Sequence, residues 1–147
     1  MTLTTDDQLN VIGVISLHGH LCDANALDRL DEVFTPDLVL DVSELGRPAL
    51  PNFDPARSLE AYIAAGKRSG PGTTVGMHAT NIIVREAGSG AHAVSKGFTV
   101  DTSGTTSSFT YTDRLVRTDD GWRISHRRIS PRREPGRGPE PTFEEHE

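Results

Sequence analysis

Tyr111-Thr112-Asp113-Arg114-Leu115-Val116-Arg117, the turn Asp119-Asp120-Gly121, and Trp122-Arg123-Ile124-Ser125-His126-Arg127-Arg128 decide how this chain is read. On both sides of the turn, aromatic and β-branched residues interleave with polar ones, and the turn itself supplies residues that tolerate positive φ. That is the pattern of a β-hairpin. Working toward the N-terminus, the same pattern predicts strands over Thr106 to Arg117, Ala91 to Asp101 and Met77 to Arg85, separated by Thr102-Ser103-Gly104 and Ala87-Gly88-Ser89-Gly90. The second half therefore reads as an antiparallel meander.

The first half is helical. Thr5-Asp6-Asp7-Gln8 fits a capping box, and Val11, Val14, Ile15, His18 and Cys22 then recur on one helical face. Asn25 is placed to cap a second short helix carrying Leu27, Leu30 and Phe34, which Thr35-Pro36-Asp37 ends. A strand over Leu38 to Val42, a connection punctuated by Gly46, Pro48, Pro51 and Pro55, and a helix over Arg57 to Ala65 follow. Helices first and a long meander second predict one α+β domain, with N-terminal helices packed on one face of a curved antiparallel sheet. Residues 1–130 form that domain on this reading. Pro131 to Glu147, with four prolines and little apolar content, reads as a flexible polar tail.

The charge balance narrows the function classes. A net charge of −6 disfavours a general nucleic-acid binder, which needs clustered cations to release phosphate counterions. The basic cluster of Arg123, Arg127, Arg128, Arg132 and Arg133 reads as a solvated last strand and tail. Cys22 is the single cysteine and has no internal partner, so a cytoplasmic location is expected. No apolar run approaches the ~20 residues of a membrane span, and no partner membrane is expected. Glycine-loop, nucleophile-elbow and zinc-helix motifs are absent from the sequence. His18 and His20, two apart on a helix, point about 200° from each other, so no metal is assigned to them. No cofactor is expected.

Several segments together resemble a known family. They are Cys22-Asp23-Ala24-Asn25-Ala26-Leu27-Asp28-Arg29-Leu30 with Val33-Phe34-Thr35-Pro36-Asp37, then Gly76-Met77-His78-Ala79-Thr80-Asn81, and the closing hairpin. The chain resembles the SnoaL-like branch of the nuclear transport factor 2 superfamily, with its scytalone dehydratase-like and ketosteroid isomerase-like members, over Asp6 to Pro131. The resemblance implies a cone-shaped cystatin-like α+β barrel, a mostly apolar pocket at its open end, and assembly as a homodimer or homotrimer.

It also implies a site. Asp23, at the end of helix one, and His78, on the facing strand, correspond to the aspartate–histidine pair of dehydratase-like members. An imidazole can take and return a proton near neutral pH while a carboxylate orients it. The hydroxyl of Tyr111 reaches the substrate by the same resemblance. His18, a polar group on an apolar helix face, must find a partner or line a cavity. Asn81 is a further substrate-binding candidate, although strict alternation sets it on the face opposite His78 unless a bulge intervenes. Arg127 matches the family's recurrent arginine, in a salt bridge or subunit contact.

The function these readings favour is a cofactor-independent acid/base enzyme, a dehydratase, isomerase or cyclase acting on a small hydroxylated carbonyl compound such as a polyketide or aromatic intermediate. Two alternatives stand beside it. One is a non-catalytic ligand-binding or assembly protein of the same fold. The other is an epoxide hydrolase built on Asp23, Arg114 or Arg127, and Asp113, although alternation sets Asp113 and Arg114 on opposite faces.

Overall fold

The computed structural model describes residues 2–45, 58–131 and 135. Helix α1 spans Thr5–Asp23 and starts from a capping box at Thr4 and Asp7, one position ahead of the predicted one. Asp7 is also a structural tie. Its carboxylate accepts from the Thr4 amide, from Trp122 Nε1 at 3.1 Å, and from Arg117. The helix entry is thereby pinned to the closing hairpin.

A short 3-10 helix, Leu27–Glu32, follows α1. Asn25 does not cap it. Its φ is 52°, so it makes the left-handed turn out of α1, a conformation that asparagine adopts more readily than most residues. Strand β1 then covers Phe34–Asp41 and helix α2 covers Leu59–Ser69, with Ser58 Oγ accepting from the Ala61 amide at its start. The proline-punctuated connection, Arg57 at the expected start of this helix, and all of the expected tail except Pro131 and Pro135 lie outside the described residues.

The meander is present as expected. Strands β2 (Thr74–Ala87), β3 (Gly90–Asp101), β4 (Thr106–Thr118) and β5 (Gly121–Pro131) pair antiparallel in sequence order. Strand β1 adds to β5 in parallel, giving the order β1-β5-β4-β3-β2. The sheet is therefore mixed and open, with β1 and β2 as its edges, rather than wholly antiparallel and closed. Helices α1 and α2 cover one face, and Val11, Ile15, Leu30, Phe34, Leu115 and Ile124 are buried between the layers. Gly19 lets α1 approach β2 closely, since a Cβ there would overlap the Met77 carbonyl. No helix among the described residues is long and apolar enough to cross a membrane.

Two bulges decide which side chains face the helices. On β2 the register slips between Thr80 and Ile83, where Asn81 has φ 53°. Before it, Met77 lies against Gly19 of α1 and Ala79 faces the core, and Ile82 and Val84 face the core afterwards. On β5 the register slips between Ile124 and His126. Trp122 and Ile124 are buried before that bulge and Arg127 after it, while His126 is turned to the other side. Each bulge adds one residue and so exchanges the two faces downstream.

Candidate functional site

The second bulge brings Arg127 into the interior, where it is 1% exposed. Its Nε and one terminal nitrogen donate to the two oxygens of Asp113 at 2.7 and 2.8 Å, a bidentate pair between residues directly opposite on β4 and β5. The other terminal nitrogen lies 2.8 Å from His18 Nδ1. A guanidinium can only donate, so Nδ1 is the acceptor and the imidazole proton sits on Nε2. From there Nε2–H donates to the Tyr62 hydroxyl at 3.0 Å, and the Tyr62 hydroxyl in turn donates to the Cys22 sulfur.

These bonds form one chain, Asp113–Arg127–His18–Tyr62–Cys22, running from the middle of the sheet to the end of α1. Its electrostatics follow from burial and from the guanidinium. Burial, and then the Arg127 charge, hold the His18 imidazole well below its usual range, so it is neutral. Burial raises the Tyr62 phenol, and pushes the Cys22 thiol up to about 11, against the hydrogen bond from Tyr62. Both stay protonated near neutral pH. The Arg127 guanidinium also lies over the Tyr111 ring at 4.4 Å. Tyr111 fits there because Gly97 has no Cβ to overlap its ring.

The chain ends at a pocket. A cavity of about 190 Å³ lies between the end of α1, the 3-10 helix, α2 and the start of β2, lined by residues including Cys22, Asp23, Asn25, Tyr62, Thr74 and Met77. Asp23 stands at its rim with an exposed carboxylate that accepts from the Met77 amide at 3.0 Å. This bond ties the last residue of α1 to β2, and the second carboxylate oxygen lies 3.4 Å from the same amide.

The expected residues therefore separate. Asp23 lines the pocket, and His18 lies immediately beneath it, bonded through Tyr62. Tyr111 is buried below the pocket, against Arg127. His78 does not face Asp23 across the pocket. It is exposed on the outer face of the sheet, where it stacks on Phe98 with ring centroids 4.5 Å apart. The expectation that it lines the interior fails because Met77 and Ala79, its neighbours in the alternation, are the inward residues. Asn81 is exposed at the bulge and is not among the pocket's lining residues.

Tyr62 is the residue that the sequence reading missed. Its only sequence signal is a lone aromatic within the predicted third helix, indistinguishable there from a core residue. Of the epoxide-hydrolase parts, Asp113 and Arg127 meet, Arg114 points outward, and Asp23 stands apart on the Met77 amide.

Residues 4–128 match the profile of the SnoaL-like domain. Among solved structures, the chain is similar to a proposed aromatic ring hydroxylase from Novosphingobium aromaticivorans, with 20% identity and a TM-score of 0.71 over 90% of this chain and 94% of that one. It is also similar to an NTF2-like protein with a cystatin-like fold from the same organism, with 20% identity and a TM-score of 0.68 over 86% and 82% of the two chains. A proposed scytalone dehydratase from that organism aligns with 20% identity and a TM-score of 0.65 over 88% and 89%. At these identities the likeness is one of fold. No curated protein matches the chain significantly.

Proposed function

The chain belongs to the SnoaL-like domain family, and from that premise we propose that it is a cofactor-independent acid/base enzyme, a dehydratase, isomerase or cyclase, acting on a small hydroxylated carbonyl compound. One observation carries the reading. The pocket that Asp23 and Tyr62 both line holds an exposed carboxylate, anchored on the Met77 amide, together with a protonated phenol whose oxygen already receives a hydrogen bond.

The chemistry follows from that arrangement. A substrate carbonyl oxygen accepts from the Tyr62 hydroxyl in place of the Cys22 sulfur. The Asp23 carboxylate takes the proton from the neighbouring carbon, and the electron pair moves onto the carbonyl oxygen. Tyr62 meets this developing oxyanion, and the neutral His18 supports the phenol through Nε2–H. In a dehydration, the enolate collapses with loss of the β-hydroxyl, which takes the proton back from Asp23 and leaves as water. In an isomerisation, the same proton returns to a different carbon. Asp23 thus takes the role that the sequence pairing gave to His78. His18, with both nitrogens bonded, positions Tyr62 rather than exchanging protons itself.

The test uses small cyclic β-hydroxyketones in deuterated water, with exchange at the α-carbon and loss of water followed by NMR. The wild type is expected to exchange and eliminate. Asp23→Asn should lower the rate by about 10²- to 10⁴-fold, the worth of a positioned base, and Tyr62→Phe by about 10²- to 10³-fold, the worth of an oxyanion donor. Binding of these compounds with neither exchange nor elimination would overturn the proposal in favour of a second reading, a ligand-binding protein. The saturation of His18 on both nitrogens is what favours that alternative.

A homodimer or homotrimer belongs to the same proposal. Phe98, Val94 and Val100 are only half-buried on the outer face, and Ile83 there is 51% exposed, an apolar patch that a second copy would cover. Sedimentation as a strict monomer at micromolar concentration would contradict it.

A further inference from the structure

The outer face of the sheet carries a second polar cavity, which shares only Asp113 with the chain of bonds beneath the pocket. Strand pairing sets Arg85 opposite His92, His92 opposite Arg114, and Arg114 opposite His126. Four cationic or titratable side chains thus form a single row across β2, β3, β4 and β5. Beside them opens a cavity of about 110 Å³ lined by His92, Thr112, Asp113, Arg114 and His126. That is room for three or four waters at the ~30 Å³ each occupies in the liquid, or for one small polyatomic ion.

The independent observation is Thr112. It is 4% exposed, and its hydroxyl has no hydrogen-bond partner. A buried hydroxyl left unpaired costs free energy that a bound acceptor would recover. Around it, Arg114 and two histidines outnumber the acids, and the acids are engaged. Asp113 lines the cavity too, but both of its oxygens accept from Arg127 on the inner side. Asp41, the nearby acid on β1, is paired with Arg128. In a chain of net charge −6, such a row is a local feature and not a general surplus of cations. The guanidinium between the two imidazoles also makes this a poor place for a metal cation.

We propose that this cavity binds a small oxyanion, either free inorganic phosphate or sulfate or the phosphate group of a larger ligand, with Arg114, His92 and His126 donating to it and the Thr112 hydroxyl completing the set. Binding strengthens on acidification, because an imidazolium holds an oxyanion more strongly than a neutral imidazole does. The other charged groups facing them are Asp41 from β1, Arg85 from β2, Lys96 from β3, Arg114 from β4 and Arg128 from β5. Among side chains, histidine is the type whose ordinary value lies between pH 6 and 8. Burial holds His126 below its usual value, and a bound anion raises it again.

Isothermal titration of the full chain tests this with three probes. Inorganic phosphate and phenyl phosphate separate the two sources: equal affinity points to the free ion, tighter phenyl phosphate to a larger ligand, and either supports the site. Sulfate, whose own charge is constant, supplies the pH arm, with tighter binding expected at pH 6 than at pH 8. Arg114→Gln should weaken binding roughly 10-fold or more, the worth of a charge-assisted bond. Thr112→Val, which keeps the shape, should weaken it several-fold at an unchanged melting temperature and so decides the matter even if the arginine variant folds poorly. The proposal is overturned if neither phosphate binds at millimolar concentration, or if wild type and Thr112→Val bind alike.

Discussion

The two faces of the sheet solve the problem of charge in opposite ways. On the inner face, Asp113, Arg127 and His18 are buried and Tyr62 is half-buried, and each is bonded to the next. On the outer face, Arg85, His92, Arg114 and His126 stand in a row beside an unpaired hydroxyl. Neighbouring residues supply both sets, since Asp113 and Arg114 are adjacent and point apart. The inner set is complete within the chain and acts by holding a phenol in place. The outer set lines a cavity and leaves the Thr112 hydroxyl beside it without a hydrogen bond.

The most severe way to break the contrast is to remove a charge from each face. Asp113→Ala strands a buried guanidinium and should cost about 3–5 kcal/mol. Arg114→Gln, one residue on, should change stability by no more than about 0.5 kcal/mol, as for most surface substitutions. Denaturant unfolding of both variants checks this. Equal losses would mean that the outer row also holds the fold together.

Catalysis sharpens the same contrast. Asp23 lines the pocket and His78 lies on the far side of the sheet, so His78→Ala should leave the rate within about twofold of wild type, while Asp23→Asn loses the factor of a positioned base. Steady-state kinetics on the hydroxyketone panel reads both. A loss of about 10²-fold or more in His78→Ala would restore the aspartate–histidine pair that the family resemblance implied.

How far the sequence showed these faces can be judged residue by residue. The α1 stripe of Val11, Ile15 and His18 and all four meander strands were legible, because periodicity and turn chemistry are local. The resemblance led to Asp23 at the end of α1, and that residue lines the pocket. The parallel pairing of β1 with β5 was not legible, since nothing local in Phe34–Asp41 names its partner. Counting alternate residues failed at the two bulges, where a single added residue exchanges the faces. Hence Arg127 could be named without its burial or its partner, whereas His78, ahead of the bulge on β2, was placed inside by the family resemblance. Tyr62 was missed because its role comes from Arg127 and His18, far away in sequence.

A smaller effect is expected from acid. The Thr4 amide, Trp122 and Thr4 bonds, and Arg117, hold the Asp7 carboxyl well below the usual carboxylate range. A folded-state value below the unfolded one gives stability that is fully present above pH ~4, the unfolded value, and is lost as pH falls toward the folded value. The melting temperature of the wild type should therefore decline below pH 4 more steeply than that of Asp7→Asn, which lacks the titrating group but loses some stability at pH 7. Parallel curves would mean that other carboxylates dominate acid unfolding.

The smallest expected effect bears on the origin of the two faces. Asn81 occupies φ 53°, a left-handed conformation that costs most residues about 1–2 kcal/mol and that asparagine and glycine adopt more readily. It is exposed and does not line the pocket beside Asp23, so its substitution tests the backbone and little else. Asn81→Gly should shift stability by no more than about 0.5 kcal/mol, because relief at positive φ is offset by the freedom glycine gives the unfolded chain. Asn81→Val should cost about 1–2 kcal/mol, since a β-branched residue fits that conformation poorly. Deleting Asn81 removes the extra residue, so that Thr80 and Ile82 follow in plain alternation and Ile82 still faces the core. That variant should fold with the same inner face. Retained folding of the deletion beside a destabilised Asn81→Val would show that the strain sits in the bulge itself, whereas an unfolded deletion would mean that the bend it gives β2 is needed to seat α1.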